Sequence, residues 1–412
     1  MSSISTRASA DLKAVELQPP FSSEAPQSSN TNDRFDVEFH VPFTHRLRFT
    51  RDICHQDVGI LLDLFEGDAG PSKVLLVCES AIRAVSTAVD ELVQNLRGAH
   101  RVQLVTDLQE FVGGECIKQN SAAVDKVLDL INRNNLDRRS YIVAVGGGAF
   151  LDAIGYAAAI AHRGIRLIRL PTTTLAQADS GVGVKNAINH FGKKNWIGTF
   201  AVPWAVINDS RLIETLPDDV FRCGFAETVK VSALKDAQRF QWLQENASLI
   251  AARDMDAAIQ AIKDSCLMHM RHITHGGDAF EMQEARPLDF GHWSAHRLEA
   301  MTNYTLSHGE AVAIGVALDS IYSALALGLP ESQAKAICLT LRKLGLSLWH
   351  DALDDHQSLL IGLEEFRQHL GGRLTVTMLR EIGKPVDVHS INTELMATAL
   401  NKLKLIAHQT IS

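Results

Sequence analysis

Between Lys73 and Thr174 short apolar runs alternate with amphipathic ones, and that alternation leaves few folds open. KVLLVCES, RVQLVTDL, YIVAVGGG and IRLIRLPTTT have the length and composition of strands, as do FDVEFHV and HRLRFTRDI upstream. Between them, AIRAVSTAVDELVQNL, SAAVDKVLDLINRNN and AFLDAIGYAAAIAHRG carry helical apolar spacing. Strands that alternate with helices pair in parallel, because each crossover helix returns the chain to the same end of the sheet. The expected fold class is therefore α/β, with a Rossmann-like dinucleotide-binding domain over 35–215. Around Leu216 and Pro217 the pattern changes: FRCGFAETVKVSALKDA, RFQWLQENASLIAAR and MDAAIQAIKDSCLMHMRHI are helical in succession. A second, α-rich domain is expected over 216–412, broken by a hairpin in LTVTMLREIGKPVDV and closed by a helix with Asn392 as N-cap.

At 412 residues the chain exceeds one ordinary core. Residues 1–34, rich in Ser, Asn, Pro and Gln, cannot bury enough apolar surface to fold and read as a disordered arm. Its acids Asp11, Glu16 and Glu24 argue against a transit peptide. A net charge of −8 supplies no footprint for nucleic acid. Six cysteines without a CxxC pair suit a reduced, cytoplasmic protein, and no uninterrupted apolar run suggests a membrane span.

The strand ends carry the chemistry. Gly146, Gly147 and Gly148 lie between a buried strand and a helix start, where bare backbone and free N–H groups suit a pyrophosphate or simply close packing. Asp152, one turn into that helix, either faces a nicotinamide or ribose or serves as a helix-start acid. Glu79 ends a strand, where an acid on the adenosine ribose favours NAD over NADP. Glu115 and Lys118 in a Gly turn, and Thr172 and Thr173 after the next strand, complete a path for a dinucleotide. Each is individually compatible with a plain loop.

Two polar clusters follow. Asp179, Lys185, Lys194 and Asn195 fall in one Gly-punctuated stretch that suits a phosphorylated polyol, or a basic solvated loop. Arg163 either contacts phosphate or caps its helix. In PLDFGHWSAHRLE, His292 and His296 are one helical turn apart, and His308 follows in SHGEAVAIG. With Glu227 of FAETVK as carboxylate, and Lys230 on the same face, these imidazoles make a Zn²⁺-like donor set.

The ordered series GGGAFLDAIGYAAAIAHRGIRLIRLPTTTLAQADSGVGVKNAIN, FAETVK, DFGHWSAH and HGEAVAIG resembles the 3-dehydroquinate synthase superfamily, the sugar phosphate cyclases, over about 70–390. The resemblance implies catalytic Zn²⁺ (or Co²⁺) on Glu227, His292 and His308, and His296 as a non-ligand active-site histidine. It implies a recycled NAD and substrate-pocket roles for Asp179, Lys185, Lys194, Asn195 and Lys230. It also implies a homodimer with Arg163 reaching across the interface. Several positions depart from the family. Its C-terminal DKK segment reads EFRQHLGG, leaving Arg367, Gln368 or His369 there; LLNxGH becomes PLDFGH with Asp289; GGK becomes GVK at Val184; and Arg286 is displaced by one residue. RPLDFGHWSAH with LGGRLTVTML is most similar to the cyclase paralogue of ebo secondary-metabolite clusters. Asp289 then favours a sugar phosphate without a carboxylate. 3-Dehydroquinate synthase itself, a metal-dependent alcohol or glycerol dehydrogenase, and a non-catalytic binding protein are the alternatives.

Overall fold

The computed structural model describes residues 36–37, 39–66, 70–191, 193–280, 288–369 and 372–409. The arm over 1–34 and Arg286 lie outside the described residues. Residues 43–412 form one compact unit. Its strands are β1 (Leu47–Thr50), β2 (Ser72–Glu79), β3 (Val102–Leu104), β4 (Gln109–Phe111), β5 (Tyr141–Gly146), β6 (Arg166–Pro171), β7 (Lys185–His190), β8 (Lys193–Phe200), β9 (Ala205–Asp209), β10 (Val376–Glu381) and β11 (Lys384–Val388). Seven of them build one sheet in the order β1-β9-β6-β5-β2-β3, with β4 also on β2, and every pairing is parallel. All six residues of β5 are buried, as expected of a strand covered on both faces.

Register decides what meets at the sheet's carboxyl edge. Cys78 pairs with Val145 and Gly146 with Pro171, so Glu79, the glycine turn and the Thr172–Thr173 turn emerge side by side. That edge is where parallel sheets bind ligands. Three expectations differ. Among the described residues FDVEFHV forms no strand. The helix expected over 81–96 is two, Ser80–Val85 and Ala88–Gly98, parted where Ser86 turns extended. The Gly-punctuated KNAINHFGKKN stretch is an antiparallel hairpin, β7–β8.

From Asp218 onward helices dominate, apart from the β10–β11 hairpin, and Asn392 caps Thr393–His408 as expected. Two helices are central. Phe225–Lys235 is buried from Phe225 through Leu234, and His308–Ala326 from Ala311 through Ser323. The latter is long and apolar enough to cross a membrane, but 78% of that stretch is buried within the fold, so it is a core helix here. It crosses the start of helix His292–Met301 without room for side chains: a Cβ on Gly315 would lie 2.0 Å from the Gly291 oxygen. Gly291 itself sits at φ 78°, a left-handed turn that only glycine adopts without strain. This close crossing sets the two helix starts, and hence His292 and His308, near each other.

Candidate active site

Three helices deliver the metal-type donors. Glu227 is 1% exposed on the inner helix, His292 opens its helix directly after Gly291, and His308 opens the next after a Ser307–Glu310 capping box. Glu227 Oε1 lies 3.4 Å from both His292 Nε2 and His308 Nε2. Ligands about 2.1 Å from a tetrahedral ion stand about 3.4 Å apart, so the spacing fits Zn²⁺ or a similar ion. Lys230 Nζ is 2.5 Å from Glu227 Oε2, yet neither Glu227 oxygen takes a well-aligned hydrogen bond. Buried orphan acceptors of this kind are expected where a cation belongs. His292 Nδ1 contacts the Phe290 carbonyl oxygen at 3.2 Å and His308 Nδ1 contacts Glu299 at 3.3 Å, which leaves both Nε2 atoms for the ion. His296, exposed on the same helix, belongs with Glu299 and His308 to a second close group. There, however, Glu299 accepts an aligned hydrogen bond from Lys194 at 2.7 Å, whereas both Glu227 oxygens lack one, so the Glu227 set is the better metal site.

Burial disfavours charge on His308, but Glu299 and then Glu227 outweigh it and raise the pKa to about 9. Burial likewise opposes ionised Glu227, and Lys230 with His292 overcomes it, holding the carboxyl well below its usual range. A metal needs neutral imidazole, so below pH 9 it must displace a proton from His308. Metal affinity should therefore rise about tenfold per pH unit between pH 6 and 8, with about one proton released. Calorimetry in buffers of different ionisation heat measures this, and binding without proton release contradicts the assignment of His308.

At the sheet edge, Gly147 N–H donates to Glu79 Oε2 at 3.0 Å. A Cβ at Gly113 would fall 1.8 Å from the Glu79 carboxyl carbon, and one at Gly148 2.7 Å from Ser180 Oγ, so a side chain at either position would displace Glu79 or Ser180. Thr172 is buried, its N–H on the Gly146 carbonyl, and Thr173 Oγ1 accepts from Ala176 N–H. Lys118, 4% exposed, joins Asp152 at 2.7 Å to Asn195 Oδ1 at 2.5 Å. Asn189 of β7 donates to Glu115, which is 3.8 Å from Lys194. Thus the hairpin bridges the glycine-turn residues to Glu299 and His308.

The remaining expected residues are less concentrated. Asp179 is 2.8 Å from His269, and Asp289 is close enough to Lys230 to help raise its pKa, against burial and after Glu227 and Asp179. Lys185 is exposed at the start of β7. Arg163 is exposed at φ 64° after helix Gly148–Ile160 and makes no ion pair with these groups. Arg367 is taken up by Glu364 and the Gly372 carbonyl, and Gln368 also donates to Glu364. Two surface hollows, of about 550 Å³ beside Arg97 and about 530 Å³ beside Phe240, are lined by none of these residues.

Sequence reading missed Glu299, His269 and Asp319. Glu299 shares a face with His292 and His296 at spacings of seven and three, so helical periodicity alone could have found it. Asp319 accepts from Gly291 N–H and Trp293 Nε1–H, both at 3.0 Å, and pins the turn before His292. It lies 28 residues away, and nothing local marks it.

Comparison with known proteins identifies the family. A family model for the 3-dehydroquinate synthase N-terminal region matches residues 109–223, and one for its C-terminal region matches 224–364. The chain is 42% identical over 221 residues to a 3-dehydroquinate synthase of Geobacter sp. (strain M21), a match spanning 53% of this chain and 59% of that one. It is 31% identical over 356 residues to the 2-epi-5-epi-valiolone synthase of Streptomyces glaucescens, spanning 83% and 90%. Its fold is similar to the 2-epi-5-epi-valiolone synthase of Streptomyces hygroscopicus subsp. jinggangensis 5008, solved with NAD⁺ and Zn²⁺ bound, at TM-score 0.81 and 24% identity over 90% of this chain and 99% of that one. With adjoining family models matching from 109 to 364 and a full-length-scale relative above 30% identity, the chain belongs to the 3-dehydroquinate synthase family of sugar phosphate cyclases.

Proposed function

We propose that this protein is a metal- and NAD-dependent cyclase that converts a heptulose phosphate without a carboxylate, sedoheptulose 7-phosphate foremost, to a carbocycle with loss of phosphate. The observation that carries the reading is the convergence of Glu227, His292 and His308 with spacing suited to one ion. A divalent metal there, when bound, supplies Lewis acidity, and NAD⁺ at the glycine turn supplies a hydride acceptor regenerated within the cycle. The protein's own groups do the rest. Lys230 and Lys194 place ammonium charge beside the donor set, and Lys194 has three N–H groups to share between Glu299 and a substrate phosphate. Asp179 and the exposed His296 are the proton carriers.

The substrate choice rests on charge. Asp289 acts electrostatically on Lys230, so its carboxylate lies near the same cluster and repels a carboxylated substrate. We read the enzyme as a cytoplasmic homodimer, with the exposed Arg163 serving the partner's site, and as part of secondary metabolism. The second reading is 3-dehydroquinate synthase itself, favoured by the 42% identity to such an enzyme.

Purified protein with Zn²⁺ and NAD⁺, offered a panel of heptulose phosphates, decides between them. Phosphate release and the carbocycle's mass should show kcat/KM at least about tenfold higher for sedoheptulose 7-phosphate than for the heptulosonate of the shikimate route, a difference of about 1.4 kcal/mol. Preference for the heptulosonate supports the second reading. Stoichiometric NADH accumulation would mark a dehydrogenase instead.

A further inference from the structure

Helix Met255–His275 has a buried stripe formed by Ala258, Ala261, Ile262, Ser265 and Cys266, and His269 prolongs it at the same spacing. A polar ring on a stripe otherwise made of small and apolar residues needs a partner, and the partner is Asp179. Its Oδ1 lies 2.8 Å from His269 Nδ1, with both side chains under a fifth exposed. The two atoms meet too obliquely for a well-aligned hydrogen bond, and neither has any hydrogen-bond partner. Asp179 sits in a short π-helical turn, Ala176–Ser180, of the kind that recurs at functional sites because it re-aims side chains. The charges of Glu227 and Lys230 also act on it. Packing alone gives no reason for this pair, since burying a carboxylate and an imidazole costs desolvation that apolar residues of similar size avoid.

We propose that His269 is a positioning residue of the cyclase site, its Nδ1–H fixing the rotamer of the Asp179 carboxylate for proton exchange with the sugar phosphate. The inference rests on the cyclase reading for the use made of Asp179. Burial opposes the Asp179 charge, and His269 outweighs it, so the carboxyl is held below its usual value. His45, whose Nε2 contacts the Val182 carbonyl at 2.7 Å, is the other imidazole acting near His269.

The geometry assigns the role to one ring nitrogen, which makes it testable by isosteres. In His269→Asn the amide nitrogen falls near Nδ1, and in His269→Gln near Nε2. With protein loaded with Zn²⁺ and NAD⁺ and sedoheptulose 7-phosphate as substrate, kcat should fall about a hundredfold in His269→Gln and His269→Phe and recover to within about fivefold in His269→Asn. KM, zinc content and NAD⁺ affinity should change less than about twofold in all three. Equal loss in Asn and Gln, unchanged kcat in Gln, or loss that tracks zinc content overturns the proposal. A second readout needs no turnover: in ¹⁵N-histidine-labelled protein, His269 should show the Nδ1–H tautomer and lose that preference in Asp179→Asn. An Nε2–H tautomer in the unsubstituted protein refutes the pairing even if the cyclase reading stands. The Nδ1–H tautomer in a protein that turns over no heptulose phosphate retains the pairing and removes the cyclase reading.

Discussion

His292→Ala should leave the protein with less than about a tenth of its zinc and reduce turnover by at least about a thousandfold. The magnitude follows from comparing shells: removal of a partner that only orients a ligand costs about 10- to 100-fold in metal affinity, so removal of a ligand from a three-residue set should cost more. Glu299→Gln supplies the first kind of change in the same site. Glu299 touches His308 Nδ1 rather than presenting itself to the ion, and an amide there keeps the shape while losing the charge. Its zinc affinity should fall about 10- to 100-fold, with activity restored by excess zinc. Metal analysis after dialysis against a graded chelator measures both variants. Full zinc in His292→Ala removes His292 from the ligand set.

Gly291→Ala should destabilise the fold by about 2 to 5 kcal/mol, and zinc affinity should fall with it. Two costs add. A side chain at φ 78° pays about 1 to 2 kcal/mol for left-handed backbone. A Cβ there would also meet Val316 N at 2.5 Å and Gly315 C at 2.7 Å, which are backbone atoms that cannot swing aside, and overpacking of this kind costs about 1 to 3 kcal/mol. Gly328 separates the terms, since it has φ 83° but no atom within 4 Å of its Cβ position. Gly328→Ala should therefore cost only about 1 to 2 kcal/mol in a urea titration. Equal costs at the two glycines would show that the helix crossing yields, and that it does not set the position of His292.

Much of this protein is legible before any coordinates are considered, because period is a local property. The strand runs ending at Glu79, Gly146 and Pro171, and the helices that follow Gly147 and Asn392, are each written in about ten residues of spacing. Glu227, His292 and His308 are likewise marked by FAETVK, the histidine spacing and the family resemblance, and Glu227 Oε1 stands 3.4 Å from each imidazole Nε2. Local period says nothing about pairing, and there expectation and structure part. FDVEFHV alternates like a strand but finds no ladder partner, whereas KNAINHFGKKN looks like a loop and pairs with itself. Lys118 meets Asn195 from 77 positions away, Lys194 meets Glu299 from 105, and His269 meets Asp179 across two elements packed side by side. Only the tertiary structure decides these, since the energy of a charged contact depends on distance and burial, and both are set by sheet register and by how closely two helices cross at Gly291 and Gly315.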